Sequence, residues 1–264
     1  MRIIAVSNQK GGVGKTTTAV NLAACLGACE KRTLLIDMDA QGNATTGVGI
    51  SKDEVQYSIY EVLTAEEGGI TINDAIVNVE HIKYLDLVPA NVNLAGIEIE
   101  LVNVMAREWK LSNALQKLDK VYDYVIIDSP PSLGLATINI MTATDTVLVP
   151  IQCEYYALEG LAELLNTIRL VQKNLNPRLS IEGALMTMYD QRLNLSRQVV
   201  EEVKSYFTGR VFESLIPRNV KLSEAPSFGK PIINYDIMSS GSVSYMNLAK
   251  EIIEHNSDRS TSVS

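Results

Sequence analysis

Short apolar runs alternate along the chain with longer segments whose apolar residues recur at helical spacing. The apolar runs predict strands at residues 2–6, 33–37, 84–88, 124–128, 146–150, 181–188 and 211–216. Helical spacing predicts helices at 16–29, 59–63, 73–76, 135–143, 157–174, 196–207 and 242–255, and one broken helix or two over 94–118. The glycine- and threonine-rich residues 40–57 are predicted to form a mobile loop.

The alternation of strands and helices determines the expected fold class. Repeated β-α-β units with right-handed crossovers produce a parallel sheet with helices on both faces. We therefore predict an α/β protein, a single-domain three-layer α/β/α sandwich around a mostly parallel, doubly wound sheet. With 46% hydrophobic residues, 264 residues can bury one large core, and no linker composition interrupts the middle. We place the domain at 1–255 and a disordered polar tail at 256–264.

The strongest functional signal is the segment QKGGVGKTT at residues 9–17, between the first strand and the first helix. Glycines let successive backbone N–H groups face one concave loop, and the helix start adds a positive dipole, so the segment is suited to phosphate. Lys15 would reach the β- and γ-phosphates, and the Thr16 hydroxyl would bind Mg²⁺. Gln9 replaces the usual first glycine, which makes this a deviant Walker A motif of a P-loop NTPase. The alternative is a glycine turn with surface lysines.

Three aspartates follow apolar strands that should end at the same edge as the glycine loop. Ligand sites of open parallel sheets lie outside the carboxyl ends of the strands. Asp128 ends a strand of the type that positions a Walker B carboxylate, which would hold Mg²⁺ through its water shell. Asp39, two residues beyond its strand, is the candidate for orienting or deprotonating the attacking water, whereas Asp37 would support the metal shell. Asp128 and Asp39 could instead cap turns.

Composition restricts the partners and the compartment. The net charge of −8 argues against a surface that binds nucleic acid everywhere, so any DNA contact must be local. No apolar run approaches the ~18 residues of a membrane span and no export signal precedes the first strand, so we expect a cytoplasmic protein without membrane contact. Cys25, Cys29 and Cys153 fit a reducing compartment, and no second Cys or His pair completes a metal site.

Five segments together resemble one known family. They are KGGVGKT at 10–16, DMDAQGN at 37–43, DSPP at 128–131, QCEYYALEG at 152–160 and LSEAPSFGKP at 222–231. Their order and spacing, from the first strand to the last helix, are similar to the ParA/Soj chromosome-partitioning ATPases. The resemblance implies ATP and Mg²⁺ as cofactors, and a homodimer that encloses two ATP molecules.

The resemblance also implies roles for individual residues. Lys10 would be the signature lysine that reaches the partner's phosphates, and Gly11 would lie where the two subunits approach closely. The implied nucleotide contacts are Lys10, Gly11, Gly12, Val13, Gly14, Lys15, Thr16, Thr17, Pro217 and Asn219, with the last two near the adenine. The implied catalytic residues are Lys10, Lys15 and Asp39, and the implied metal-binding residues are Thr16, Asp37 and Asp128.

ATP-bound dimers of this family bind double-stranded DNA without sequence preference, and the matching positions here are Arg192 and Lys221. Arg197 and Arg218 are expected to extend that surface, as are Lys204 and Arg210. Residues 186–231 contain seven Lys/Arg and five Asp/Glu, a local charge of +2. Phosphate contacts of this kind make DNA affinity strongly dependent on salt. The resemblance further implies a ParB-type centromere-binding partner and a nucleoid-associated location.

Three other functions share the predicted scaffold. A MinD-like membrane ATPase needs a basic amphipathic C-terminal helix, whereas this chain ends DRSTSVS. An iron–sulfur carrier or reductase needs cysteines that are shared across a dimer, and Cys153 alone does not meet that requirement. A sequence-specific regulator needs a helix-turn-helix segment before the first strand, where the sequence predicts none. We therefore expect a slow, partner-stimulated ATPase that drives chromosome or plasmid partitioning, whose ATP-bound dimer holds DNA until hydrolysis releases it.

Overall fold

A seven-stranded sheet forms the centre of the computed structural model, which describes residues 1–155 and 161–261, with side chains as far as residue 257. The strands are β1 Arg2–Val6, β2 Thr33–Asp37, β3 Val77–Asn78, β4 Leu85–Val88, β5 Tyr124–Asp128, β6 Thr146–Gln152 and β7 Ser180–Thr187. The helices are α1 Lys15–Ala28, α2 Asn43–Gly47, α3 Ile59–Thr64, α4 Ile97–Glu100, α5 Lys110–Leu115, α6 Leu135–Ala143, α7 Leu161–Asn174, α8 Asn194–Tyr206, α9 Val220–Glu224, α10 Ile232–Tyr235 and α11 Ser240–Thr261.

The strand order is β3-β4-β2-β5-β1-β6-β7, and every pairing is parallel except that of β3 with β4. The chain starts in the interior of the sheet and extends to both edges, which confirms the predicted doubly wound, mostly parallel sheet. Asp128 at the end of β5 is in register with Val6 of β1 and with Asp37 of β2. This register brings two of the three predicted aspartates together at the carboxyl edge of the sheet.

Helices cover both faces of the sheet and produce the predicted three layers. One face packs against α1 and α11, whose Leu22 and Leu248 are both fully buried. The opposite face packs against α3, α5 and α6, with Leu111 and Ile140 fully buried. Full burial of such a side chain contributes roughly 1.5–3 kcal/mol, so these faces fix the strands that end at the candidate site.

The prediction of a strand at 211–216 is wrong, because this segment forms isolated bridges and no regular strand. The segment meets β7 and its continuation through two isolated parallel bridges, Ala184 with Val211 and Tyr189 with Pro217. Between them, the backbone N–H groups of Glu213 and Ser214 donate to the Glu251 carboxylate of α11, at 3.0 and 3.2 Å. A carboxylate on another element therefore satisfies the groups that a strand would have offered to the sheet.

Several boundaries also differ from the expectations. The predicted loop at 40–57 contains α2, the predicted helix at 73–76 is a 3₁₀ turn at Ile72–Ala75, and β3 was not predicted. Residues 94–118 are divided among short helical segments that include α4 and α5. Helix α11 continues to Thr261, so the tail predicted to be disordered from residue 256 is helical as far as 261. Residues 157–160 of the predicted long helix and 262–264 of the tail lie outside the described residues.

Two glycines bring distant segments into backbone contact near the candidate site. Gly49, just beyond α2, has φ +82°, and Gly229, in the turn before α10, has φ +60°. A Cβ atom on Gly49 would lie 2.7 Å from the Gly229 carbonyl oxygen. Both a left-handed conformation and a close approach therefore require glycine at position 49.

Replacing Gly49 by alanine should destabilise the chain more than the same change at Gly68. Gly68 has a similar φ of +81° but no described atom within 4 Å of a built Cβ, so its loss should be only the backbone strain of about 1–2 kcal/mol. At Gly49 the clash should add roughly 1–3 kcal/mol. Urea unfolding of Gly49→Ala and Gly68→Ala measures both losses. Equal losses would show that the contact between the two glycines carries no constraint.

Candidate active site

The loop from the end of β1 to the start of α1 has the backbone shape of an anion site. Gly12 and Gly14 have φ +74° and +89°, a region that glycine occupies without strain. Gly14 precedes α1 and has no side chain to cap it, and the first N–H groups of an α-helix have no intrahelical acceptor. These N–H groups and the helix dipole therefore remain available for an anion.

Buried polar side chains hold this loop against the neighbouring strands. The Asn8 side chain donates to the Pro150 carbonyl on β6 at 2.7 Å and accepts from the Lys10 backbone N–H at 3.0 Å. The Thr187 hydroxyl at the end of β7 donates to the Val13 carbonyl at 2.8 Å. Neither Asn8 nor Thr187 was predicted, because Pro150 and Val13, to which they donate, lie more than a hundred positions away. For Asn8, a polar residue between an apolar strand and a glycine loop was the available signal.

The two loop lysines are each bound by groups of their own chain. Lys15 is 7% exposed and its Nζ donates to the Lys10 carbonyl at 3.1 Å, inside the curve of the loop. Burial lowers the pKa of Lys15, and the charges of Asp128 and Asp39 oppose that shift. The Lys10 Nζ forms an ion pair with Glu154, two residues beyond β6. Gly11 is exposed, and a Cβ there would meet no described atom within 4 Å.

Asp37 is fully buried but well satisfied. Its carboxylate accepts from the Thr45 backbone N–H and hydroxyl, both at 2.8 Å, and from the Asp39 backbone N–H at 3.2 Å. Burial raises the pKa of Asp37 to about 6, the hydrogen bonds from Thr45 limit the rise, and the charge of Asp39 adds to it. Asp39 itself is partly exposed, and its Oδ1 accepts from the Gln41 N–H at 3.0 Å.

Asp128 is fully buried, and neither carboxylate oxygen accepts a hydrogen bond of normal geometry from any described residue. Burial and then the charge of Asp37 raise the pKa of Asp128 well above its ordinary value of 3.8, although the nearby Thr16 hydroxyl and Lys15 favour the charged form. Unsatisfied buried carboxylates are rare in native structures and are characteristic of functional sites.

The donor set suits a hydrated magnesium ion. Within the described residues, no three His, Cys, Asp or Glu side chains are arranged to hold a metal directly. Mg²⁺ keeps several water ligands and is commonly held by one or two protein oxygens together with phosphate. The unpaired oxygens of Asp128 beside the Thr16 hydroxyl offer that combination, with Asp37 next to them on β2.

A cavity of about 570 Å³ adjoins the loop. Its lining includes Gly14 and Thr17 from the loop and the start of α1, and Pro217 and Asn219 from the segment before α9. The volume lies within the range of small-molecule sites. The structure therefore brings the two residues expected near the adenine to the side of the phosphate loop. Arg218, expected on the DNA-binding surface, also lines this cavity.

Comparisons with known proteins identify the family. A family model described as an AAA domain matches residues 1–181. The sporulation initiation inhibitor protein Soj of Bacillus subtilis is 57% identical over 251 residues, which cover 95% of this chain and 98% of that protein. The chromosome partitioning protein ParA of Myxococcus xanthus is 54% identical over 263 residues, which cover 98% of this chain and 90% of that protein. The chain belongs to the ParA/Soj family of chromosome-partitioning ATPases.

A solved structure supports the shared architecture. It is named cobyrinic acid a,c-diamide synthase from Mycobacterium smegmatis and was determined with a bound ATP analogue and magnesium. The two chains superpose with a TM-score of 0.84 at 39% identity, covering 97% of this chain and 95% of the other. The resemblance to ParA/Soj proteins predicted from five motifs is thus confirmed, and so is the P-loop NTPase fold.

The two basic residues expected to contact DNA, Arg192 and Lys221, are exposed, and each is paired with a carboxylate. Arg192 donates from Nε and Nη2 to both oxygens of Asp190, at 2.9 and 2.7 Å, which lowers the pKa of Asp190 to about 2. Lys221 lies 3.3 Å from the Glu224 carboxylate, and its ammonium is 5.5 Å from the centre of the Tyr235 ring. The local positive charge is therefore smaller than the number of basic residues suggests.

The remaining basic residues differ in accessibility. Arg197 is exposed on α8 and donates to the Gln191 carbonyl at 2.9 Å, and Lys204 pairs with Glu201 on the same helix. Arg210 is only 27% exposed and is held by Glu251 at 2.9 Å, so it belongs to the contact between α11 and the chain beside β7.

Within the described residues no helix has the length and apolarity needed to cross a bilayer.

Replacing Asp128 by asparagine should stabilise the ligand-free chain by about 1–2 kcal/mol near neutral pH, because it removes a buried, unpaired carboxyl group whose ionisation is hindered by burial. The folded-state pKa of Asp128 lies above the unfolded value, so the folded chain binds more protons between the two values. The free energy of unfolding of the wild-type chain therefore decreases as the pH rises from the unfolded-state pKa of Asp128 to its folded-state pKa. Urea unfolding near about pH 5 and about pH 7.5 should show the larger gain at the higher pH. A variant no more stable than wild type near neutral pH would contradict this assignment.

Proposed function

We propose that this chain is a dimerising DNA-segregation ATPase. Two chains close around two ATP molecules, and the resulting dimer binds double-stranded DNA without sequence preference. A ParB-type centromere-binding protein stimulates hydrolysis, which releases the DNA and drives chromosome or plasmid partitioning. The nucleotide part of this proposal rests on the unpaired, buried carboxylate of Asp128, which lies near Thr16 and Lys15 of a loop whose backbone is suited to binding phosphate. The relatives that share 54% and 57% of its residues are named for partitioning or as Soj.

In this proposal the phosphates of ATP bind in the glycine loop, and its base binds in the adjoining cavity. The loop N–H groups of residues 10–17 and the Lys15 ammonium take the phosphates, and Pro217 and Asn219 border the base. Thr16 and Asp128 hold Mg²⁺, with Asp37 supporting its water shell. Bound Mg²⁺ neutralises charge that develops on the phosphoryl oxygens. The Mycobacterium smegmatis structure with an ATP analogue and magnesium supports this arrangement, although the name of that protein states a different activity.

Asp39 orients the attacking water and accepts its proton. Its side chain is partly exposed at the carboxyl edge, and one oxygen is occupied by the Gln41 N–H, so the other is available for water. Asp37, the last residue of β2, is instead fully buried and bound by Thr45. The two carboxylates are thus suited to different tasks.

Lys10 acts across the dimer. The transition state of phosphoryl transfer spreads negative charge over the transferred group, and a cation supplied by a second chain stabilises it in the manner of an arginine finger. The empty space around Gly11 supports this reading, because no contact with the described residues requires a glycine at this unstrained, exposed position. A partner chain that approaches the loop supplies the missing reason.

DNA binds through the exposed cations that follow β7. Arg192 and Lys221 contact the phosphates, Arg197 extends the surface along α8, and Arg218 lies where this surface meets the nucleotide cavity. Dimerisation doubles the number of contacts, which allows an acidic chain to bind DNA locally. We place the protein in the cytoplasm, associated with the nucleoid.

Asp39→Ala should abolish ATP hydrolysis while leaving ATP-dependent DNA binding intact, because it removes the group that activates water and no phosphate contact. A loss of about 10²-fold or more in kcat is expected for a general base. Lys15→Ala is the matched comparison and should lose nucleotide binding, hydrolysis and DNA binding together. Phosphate release and filter binding of random-sequence duplex measure these activities. Normal turnover by Asp39→Ala would remove Asp39 from the mechanism.

Arg192→Glu should weaken DNA binding by about tenfold or more and reduce the slope of log affinity against log salt by about 2, one contact for each chain of the dimer. Arg178→Glu makes the same charge change just before the amino end of β7, whereas Arg192 follows its carboxyl end, and the variant should leave both quantities near wild type. Binding is measured with ATP, with ADP and without nucleotide over a range of salt. Equal effects of the two substitutions would mean that net charge, and not a surface beside Arg192, determines binding.

A further inference from the structure

The Lys10 side chain is committed to an ion pair within its own chain. Its Nζ contacts Oε1 of Glu154, and the two side chains are 32% and 40% exposed. Glu154 follows β6 by two residues, and Lys10 lies in the loop after β1, which is the neighbour of β6 in the sheet. The pair therefore spans the carboxyl edge of two adjacent strands.

In the proposed dimer Lys10 exchanges this ion pair for a phosphate of the second chain, because Glu154 holds the ammonium against the end of β6 of its own chain. The loop backbone is engaged in the same arrangement, since the Lys10 carbonyl accepts from the Lys15 Nζ at 3.1 Å and its N–H donates to Asn8. Both loop lysines are thus bound to protein groups at positions where a triphosphate would compete for them.

We propose that Glu154 is a positioning residue that holds Lys10 within its own chain until the terminal phosphate bound by a second chain displaces it. This inference rests on the proposed function, in which Lys10 acts in trans. Glu154 opposes closure of the dimer, and the opposition is removed only when a nucleotide supplies a stronger anion than a half-exposed carboxylate. The residue thereby disfavours dimers in which the phosphate is absent.

The size of the effect follows from the exposure of the pair. Ion pairs of this accessibility change an equilibrium by about 1.4- to 5-fold. Closing a symmetric dimer breaks two such pairs, so the factors multiply to roughly 2- to 30-fold in the dimer dissociation constant.

Glu154→Gln should therefore tighten the dimer formed with a non-hydrolysable ATP analogue and magnesium by about 2- to 30-fold. Sedimentation velocity over a range of chain concentrations measures the dissociation constant. Glu154→Asp keeps the charge and should remain closer to wild type. Glu108→Gln removes a carboxylate that pairs with Arg107 and is similarly exposed, at 32%, and it should leave the constant unchanged.

A second measurement separates positioning from a structural role. In a Lys10→Ala background, Glu154→Gln should have no further effect on dimerisation, because there is no lysine left to hold. The affinity of the single chain for the analogue, measured below the dimerisation concentration, should change less than the dimer constant. A structural role would instead lower the thermal stability and would persist in the Lys10→Ala background.

Three results would overturn the inference. An unchanged dimer constant in Glu154→Gln, while wild type dimerises with the analogue, would refute it alone and leave the proposed function standing. A weaker dimer would show that Glu154 serves the closed state instead. A wild-type chain that stays single with the analogue would refute both this inference and the proposed function.

Discussion

The site depends on keeping a carboxylate buried and unpaired. Asp128 lies at the end of β5 between β1 and β2, and none of the described residues gives it a hydrogen bond of normal geometry. Such a group is costly in a folded chain, and it persists because the strands on either side are fixed by fully buried apolar layers above and below. The sheet therefore holds an acceptor at its carboxyl edge to which none of the described residues donates with normal geometry, although the charge of Lys15 favours its ionised form.

The segment after β2 connects this acceptor with the rest of the site. Within a dozen residues it carries the partly exposed Asp39, Thr45, which satisfies Asp37, and Gly49, which contacts Gly229. Gly229 follows the segment that borders the base cavity and includes Lys221. The close approach of Gly49 to Gly229 therefore joins the segment after β2 to the segment that lines the cavity. In the proposed function, this contact is the route by which the state of the nucleotide alters DNA binding.

The sequence predicts those features that local pattern determines. Strands such as Thr33–Asp37 and Tyr124–Asp128 are buried on both faces and are continuous apolar runs, and the glycine loop lies between a strand and a helix as its motif requires. Features set by distant partners were missed. Glu251 diverts residues 213–214 from the sheet, and Thr187 holds the loop from β7. No spacing along the chain indicates these contacts, because each depends on how separate elements pack.

The central claim is that a terminal phosphate joins two copies of this chain. Light scattering of the wild-type protein with magnesium and a non-hydrolysable ATP analogue, with ADP, and without nucleotide tests it most directly. The account predicts a mass about twice the 28.9 kDa of one chain with the analogue only, and a single chain in the other two conditions. The same mass in all three conditions would contradict it.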